Sequence, residues 1–160
     1  MYIFLIVCGV FAFSACRSTE DHIKSVVQSE MANAWKHTPV LDGKVIGPYS
    51  PAQRVGNMLF LSGQIAMNPA TGALENKDFE TEVRQAMDNI VRILRASGFS
   101  EDDVVSTTVY LKDMNDFQTL NAIYGGYFRE GNYPARTTVQ VAALPKDARV
   151  EVAAIAVKSN

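Results

Sequence analysis

The stretch that most constrains this chain is Val150–Val157, where Glu151 is the only charged residue among Val, Ala and Ile. A run so apolar and β-branched predicts a strand, begun by Arg149. Side chains alternate between faces along a strand. Glu151 therefore shares one face with Ala153, Ile155 and Val157, while Val150, Val152, Ala154 and Ala156 take the other. A carboxylate in such surroundings is costly unless it is paired or hydrogen-bonded. Two readings stay open. Either Glu151 lies at the wet end of the strand or pairs structurally with an arginine, or it belongs to a functional site.

The remaining elements follow from periodicity and punctuation. Residues 45–51 are extended and turn-rich, because Pro48 and Pro51 bias the residues before them away from helix. Residues 57–65 read as a buried strand with an unusual Ser62-Gly63 at its far end. Residues 68–72 form a turn. Asp78 caps a helix running to about Ser97, with Val83, Ala86, Met87, Ile90 and Leu94 on one stripe and Gly98 ending it. Residues 104–111 are a second buried strand. Asn115 and Gln118 have capping-box spacing for a second helix reaching about Arg129, with Phe117, Leu120, Tyr124 and Tyr127/Phe128 inward. Residues 136–142 and 149–157 are the last strands, joined by a loop over residues 144–147. Helices segregated against a mixed sheet make the fold class α+β.

Composition bounds the function. In 160 residues, 48% are hydrophobic and 20% charged, enough for one core of ordinary domain size. The formal net charge of −2 gives no attraction for a polyanion, so no nucleic-acid partner is expected. The longest run of like charge, Glu101-Asp102-Asp103, reads as a solvated helix end or turn.

The N-terminus has its own signature. Residues 1–15 contain no charged side chain and are mostly apolar. They fall short of the roughly 20 residues a spanning helix needs and have the length of a signal-peptide core. Phe13-Ser14-Ala15-Cys16 is ordered like a lipobox, which makes Cys16 the lipidated first residue of the mature chain and the envelope its location. A lipid anchor on Cys16 would then be the only tie to a membrane. No Lys or Arg precedes the apolar run, so the alternatives are a misassigned start, which leaves the protein cytoplasmic, or an uncleaved anchor. Processing would remove Cys8 and occupy Cys16, leaving no thiol for a disulfide, a metal or nucleophilic attack. Residues 16–36 read as a polar spacer with a weak helical pattern in Ile23, Val26, Val27 and Met31, and residues 37–160 as the folded domain. His22 and His37, the only histidines, lie in or beside the spacer without ligand-spaced partners, so no metal site is expected.

Arg136 is the second charge in an unexpected place. It opens a strand after Tyr133-Pro134-Ala135, with Thr138 and Gln140 as its alternation partners. A guanidinium fork matches a carboxylate bidentately, as lysine does not, and would fix a 2-imino or 2-keto acid in one orientation. A carboxylate across from it can position a water and pass its proton to departing ammonia. Backbone N–H groups of Ser62 and Gly63 can add donors where a side chain would obstruct approach. Were the last two strands a plain hairpin, Arg136 would lie near Val157 and far from Glu151. Bringing the two together takes another strand order or a neighbouring subunit.

At these residues the chain resembles the RidA/YjgF family of reactive-intermediate deaminases. The resemblance is carried in order by Ile46-Gly47-Pro48-Tyr49-Ser50, Leu61-Ser62-Gly63-Gln64, Val109-Tyr110-Leu111-Lys112-Asp113-Met114, Leu120-Asn121-Ala122-Ile123-Tyr124, Tyr133-Pro134-Ala135-Arg136-Thr137-Thr138 and the stretch from Val141 to Val152. It implies a chorismate-mutase-like fold, a mixed sheet with two helices packed on one face, assembled as a homotrimer with clefts between subunits. It also implies hydrolysis of 2-imino acids such as 2-iminopropanoate to 2-keto acids and ammonia, without a cofactor. Arg136 would bind the substrate carboxylate, Glu151 would orient water, and Tyr49 would join them. Ser62, Gly63 and Asn121 would line the cleft with Thr138, which stands where many relatives carry a cysteine or small residue. Ala153 replaces a second acidic residue common in the family. The best-known members are cytoplasmic, so the leader is the larger departure. A non-catalytic trimer that binds small carboxylates at the envelope is the competing expectation. RNA cleavage is disfavoured by the charge and the leader.

Overall fold

The computed structural model describes residues 19–29, the backbone of residues 38–39, and residues 46–159. The expected leader, Cys8, Cys16, Met31 and His37 lie outside the described residues. Contacts divide the chain into two units, Met1–Lys36 and His37–Asn160. In the first, residues 19–29 form helix α1, with Ile23, Val26 and Val27 exposed.

The second unit is a six-stranded sheet in the order β1-β2-β3-β6-β4-β5. Its strands are β1 (Thr38–Pro39), β2 (Ala52–Val55), β3 (Met58–Gln64), β4 (Val104–Leu111), β5 (Ala135–Gln140) and β6 (Val150–Val157). Its helices are α2 (Phe79–Ala96) and α3 (Phe117–Tyr124). The sheet is mixed, since β4 and β5 run parallel while every other pairing is antiparallel.

Helix α2 forms as its spacing predicts. Asp78 Oδ1 accepts from the Thr81 N–H at 2.7 Å, satisfying a donor the first turn leaves open. Glu80 and Glu82 lie in that turn, where the helix dipole favours negative charge. Gly98, at φ 78°, ends the helix in a left-handed conformation that costs glycine nothing. Val83, Ala86, Met87, Ile90 and Leu94 are all buried. They pack on Leu59 and Leu61 of β3, Val109 and Leu111 of β4, and the even-numbered residues of β6.

Three expectations need correction. The Asn115–Gln118 box does not form. Asp113 Oδ1 instead accepts from the Asn115 N–H at 2.9 Å and starts a 3-10 turn, Met114–Asp116, that leads into α3. Nor does the helix reach Arg129. It gives way to a 3-10 turn at Gly125-Gly126, where two glycines make the α-helical backbone entropically expensive. From residue 46 to Pro51 the turn-rich segment bends instead of running extended, and it is followed by a strand at Ala52–Val55 that was not expected.

The last two strands are not neighbours, because β4 lies between them. In register, Thr107 of β4 sits beside Arg136 of β5 on one side and Ala154 of β6 on the other. Tyr110 sits beside Val139 and Glu151 in the same way. Directly paired residues point to the same face. Thr107 and Ala154 are buried under the helices, so Arg136 belongs to the helix face, while Glu151 and Tyr110 belong to the other. That second face carries exposed apolar side chains, Phe60 and Val139 among them, with Val105 also exposed along β4.

Candidate active site

Two cavities take up most of the expected site residues, one on each side of the sheet. The first, of about 340 Å³, is lined by Tyr49, Ser62, Gly63 and Glu151 with Ile46, Gly47, Ile65 and Pro145. The second, of about 350 Å³, is lined by Asn121 and Arg136 with Tyr124, Gly125, Tyr133 and Pro134. A single chain therefore separates Arg136 from Glu151 rather than bringing them together.

In the Glu151 cavity, position follows from a bulge. Leu61 pairs with Ala154 and Gln64 with Val152, so β3 fits one extra residue at Ser62-Gly63. Gln64 braces this kink by donating through Nε2 to the Ser62 and Gly63 carbonyls, at 3.0 and 3.2 Å. The Glu151 side chain lies across Gly63 so closely that a Cβ there would come within 1.8 Å of its Oε1. Glycine thus leaves the room that this placement of the carboxyl takes. Among the described residues Glu151 forms no ion pair. Burial alone pushes its pKa above the ordinary 4.5, because a low-dielectric setting disfavours the ionised form.

Ser62 has a different part from the one its position implies. Its N–H donates to the Pro51 carbonyl at 2.9 Å and its hydroxyl to the Ser50 carbonyl at 2.7 Å. Both donors fasten the 46–51 segment, and Tyr49 with it, against the bulge. The Tyr49 ring lies about 3.5 Å from where a Gly47 Cβ would stand. Across the cavity, Lys146 and Asp147 both adopt positive φ, 56° and 59°, just after the lining Pro145. Lys112 pairs with Asp147 to hold that turn.

Around Arg136 the arrangement is different. Its Nη2 donates to Asn121 Oδ1 at 2.7 Å. Its guanidinium carbon sits 4.6 Å from the Tyr124 ring centroid and 5.6 Å from that of Phe117. Asn121 therefore orients the arginine as well as lining the cavity. Thr138 follows on the same strand face, and its buried hydroxyl has no hydrogen-bond partner among the described residues.

Two features escaped the sequence reading. Tyr124 lies three positions after Asn121 on α3, a spacing that puts both on one helix face, which is the signal that could have revealed it. Glu82, fully buried on α2, accepts from the N–H and Nε of Arg149, both at 2.6 Å. That bond clamps the start of β6, two residues before Glu151. Nothing local in the sequence joins residues so far apart.

The family model described as endoribonuclease L-PSP matches residues 41–158. The chain is 48% identical over 115 residues to an Escherichia coli protein described as 2-iminobutanoate/2-iminopropanoate deaminase, covering 71% of this chain and 89% of that one. The crystal structure of the E. coli YjgF gene product superposes with a TM-score of 0.70 at 44% identity, over 76% of this chain and 97% of that one. E. coli TdcF, solved with bound serine, superposes at 0.71 with 39% identity, over 77% and 98%. The family model and these similarities span nearly the whole second unit, and the chain belongs to the RidA/YjgF family.

Proposed function

We propose that this protein hydrolyses 2-imino acids and their enamine tautomers, such as 2-iminopropanoate, to 2-keto acids and ammonia. The observation that carries the reading is Glu151: a half-buried carboxylate facing a cavity, with raised proton affinity and no ion pair among the described residues. The high identity to a protein described as an imine deaminase supports it.

Arg136 would hold the substrate carboxylate through its guanidinium fork. Glu151 would take a proton from water as the oxygen attacks the protonated C=N carbon and pass it to the nitrogen. As the C–N bond breaks and ammonia leaves, the carboxylate would take the hydroxyl proton and release it to solvent, leaving the keto acid. A protonated imine carbon is electrophilic by itself, so these steps call on no cofactor. Tyr49 and Gly63 border the same cavity and would orient the reacting centre, with Thr138 beside the carboxylate clamp. The formal net charge of −2 gives no attraction for a polyanion, which weighs against RNA as substrate.

Since one chain sets Arg136 and Glu151 on opposite faces, the working site would form between copies, one contributing the arginine cavity and the next the glutamate cavity. A ring of three such contacts makes the homotrimer. The exposed apolar side chains on the free face, Phe60 and Val139 foremost, support burial against further copies. The uncharged residues 1–15 and the lipobox order ending in Cys16 support lipid anchoring at the envelope.

Mixed trimers test the reading. Arg136→Ala and Glu151→Gln are each expected to lose imine hydrolysis, measured as ammonia or keto-acid release from imines generated in situ. Unfolded and refolded together in equal amounts, they should recover about one quarter of wild-type activity, because one ring contact in four then pairs two intact halves. No recovery from properly assembled mixed trimers rules out a shared site. A wild type no faster than Arg136→Ala rules out the hydrolysis itself.

A further inference from the structure

The Arg136 guanidinium is restrained from beneath as well as from the side. Tyr124 presents its ring face at 4.6 Å, and the Tyr124 hydroxyl shares a 2.6 Å hydrogen bond with Thr107 Oγ1. Both of those residues are buried, at 4% and 2% exposure. Thr107 is also the register partner of Arg136 on the adjoining strand. The three residues therefore close a loop: strand position to hydroxyl, hydroxyl to ring, ring to guanidinium, guanidinium back to the neighbouring strand position. The ring cannot swing away without breaking a buried hydrogen bond, and Phe128 packs against it at 4.9 Å between centroids. Asn121 holds one edge of the guanidinium at 2.7 Å.

We propose that Tyr124 is a positioning residue for substrate capture: its ring face holds the Arg136 guanidinium in the plane that a carboxylate must meet. The inference rests on the function proposed above and concerns the arginine half of that site. An arginine has four side-chain torsions to order when it grips a carboxylate, and a stacking surface that orders them beforehand lowers the cost of binding. The attraction between the cation and the ring face is electrostatic, so it follows the ring's electron density rather than its volume. The Thr107 bond fixes where the ring lies, and the ring sets the plane of the guanidinium.

The test uses the full chain with phenylalanine or pentafluorophenylalanine at position 124, two rings of nearly equal size and opposite facial charge. Binding of 2-ketobutyrate is read by calorimetry, and KM and kcat by imine hydrolysis. Tyr124→Phe is expected to bind about twofold to fourfold more weakly than wild type and to melt earlier, since the ring keeps its face but loses the Thr107 bond that fixes its position. The fluorinated ring is expected to weaken binding and raise KM about threefold to tenfold relative to phenylalanine, with kcat little changed. Equal binding by the two ring variants overturns the inference while leaving the function in place. So does a loss in Tyr124→Phe as large as in Arg136→Ala, and this arm decides by itself if the fluorinated variant does not fold. A wild type that neither binds 2-ketobutyrate nor hydrolyses the imine overturns function and inference together.

Discussion

The two cavities differ in how they hold their charge. Arg136 is braced on several sides, by a hydrogen bond to Asn121 and by the rings of Tyr124 and Phe117. Glu151 has no ion pair among the described residues and lies over a glycine that makes room for it. One half is built for direction and the other for proton affinity. A group that only grips a carboxylate gains from rigidity and never changes its own charge. A group that takes and returns a proton gains from a setting that leaves both its states accessible.

That contrast breaks most sharply at Glu151. Replacing it with glutamine should lower kcat about a hundredfold to ten-thousandfold while leaving KM nearly unchanged. In wild type the base must be ionised, so kcat should fall as the pH drops through a midpoint above the ordinary 4.5. The limb should vanish from the residual activity of Glu151→Gln. Stability should move the other way. A raised carboxyl pKa means folding favours the protonated form, so the ionised group opposes folding above that pKa and ceases to do so below the unfolded value. Glu151→Gln should therefore melt no lower than wild type at pH 8, with the difference closing toward pH 4. A glutamine variant with normal kcat removes the carboxylate from the reaction.

Arg136→Lys sharpens the other half. It keeps the charge but loses the fork and its fit to Asn121 and Tyr124, so kcat/KM should drop about tenfold to a hundredfold, chiefly through KM. A drop confined to kcat would give Arg136 a part in the chemistry instead of capture.

The smallest of the three effects is expected at Gly63. A methyl there meets the Glu151 carboxyl at 1.8 Å, but that carboxyl is the far end of a flexible side chain and can swing aside. Gly63→Ala should therefore fold and melt much like wild type while kcat falls about tenfold, since a displaced base loses its reach. A large loss of melting temperature would make the glycine a requirement of the bulge itself.

Much of this was legible along the chain. Strand β4 matched its β-branched run, α2 lay where its apolar stripe and Asp78 put it, and Gly98 ended it, because each depends on residues within a turn or two. Arg136 and Glu151 stood out for a similar reason: a charge in an alternating strand is conspicuous whatever surrounds it. The Asn115 cap misled because Asp113 offered a competing oxygen two residues earlier, a contest that spacing does not decide.

What the sequence determined by itself was the two helices, the strands β3 to β6 in their order along the chain, and the two side chains out of place among apolar neighbours, while the short strands β1 and β2 went unread. The tertiary structure alone decided that β4 separates the last two strands and that Arg136 and Glu151 face away from each other. It likewise put Tyr124 beneath the guanidinium and Gly63 beneath the carboxylate. The physical reason is range. Alternation says which residues of one strand share a face, while the choice of neighbouring strands depends on how every apolar face in the chain is buried at once.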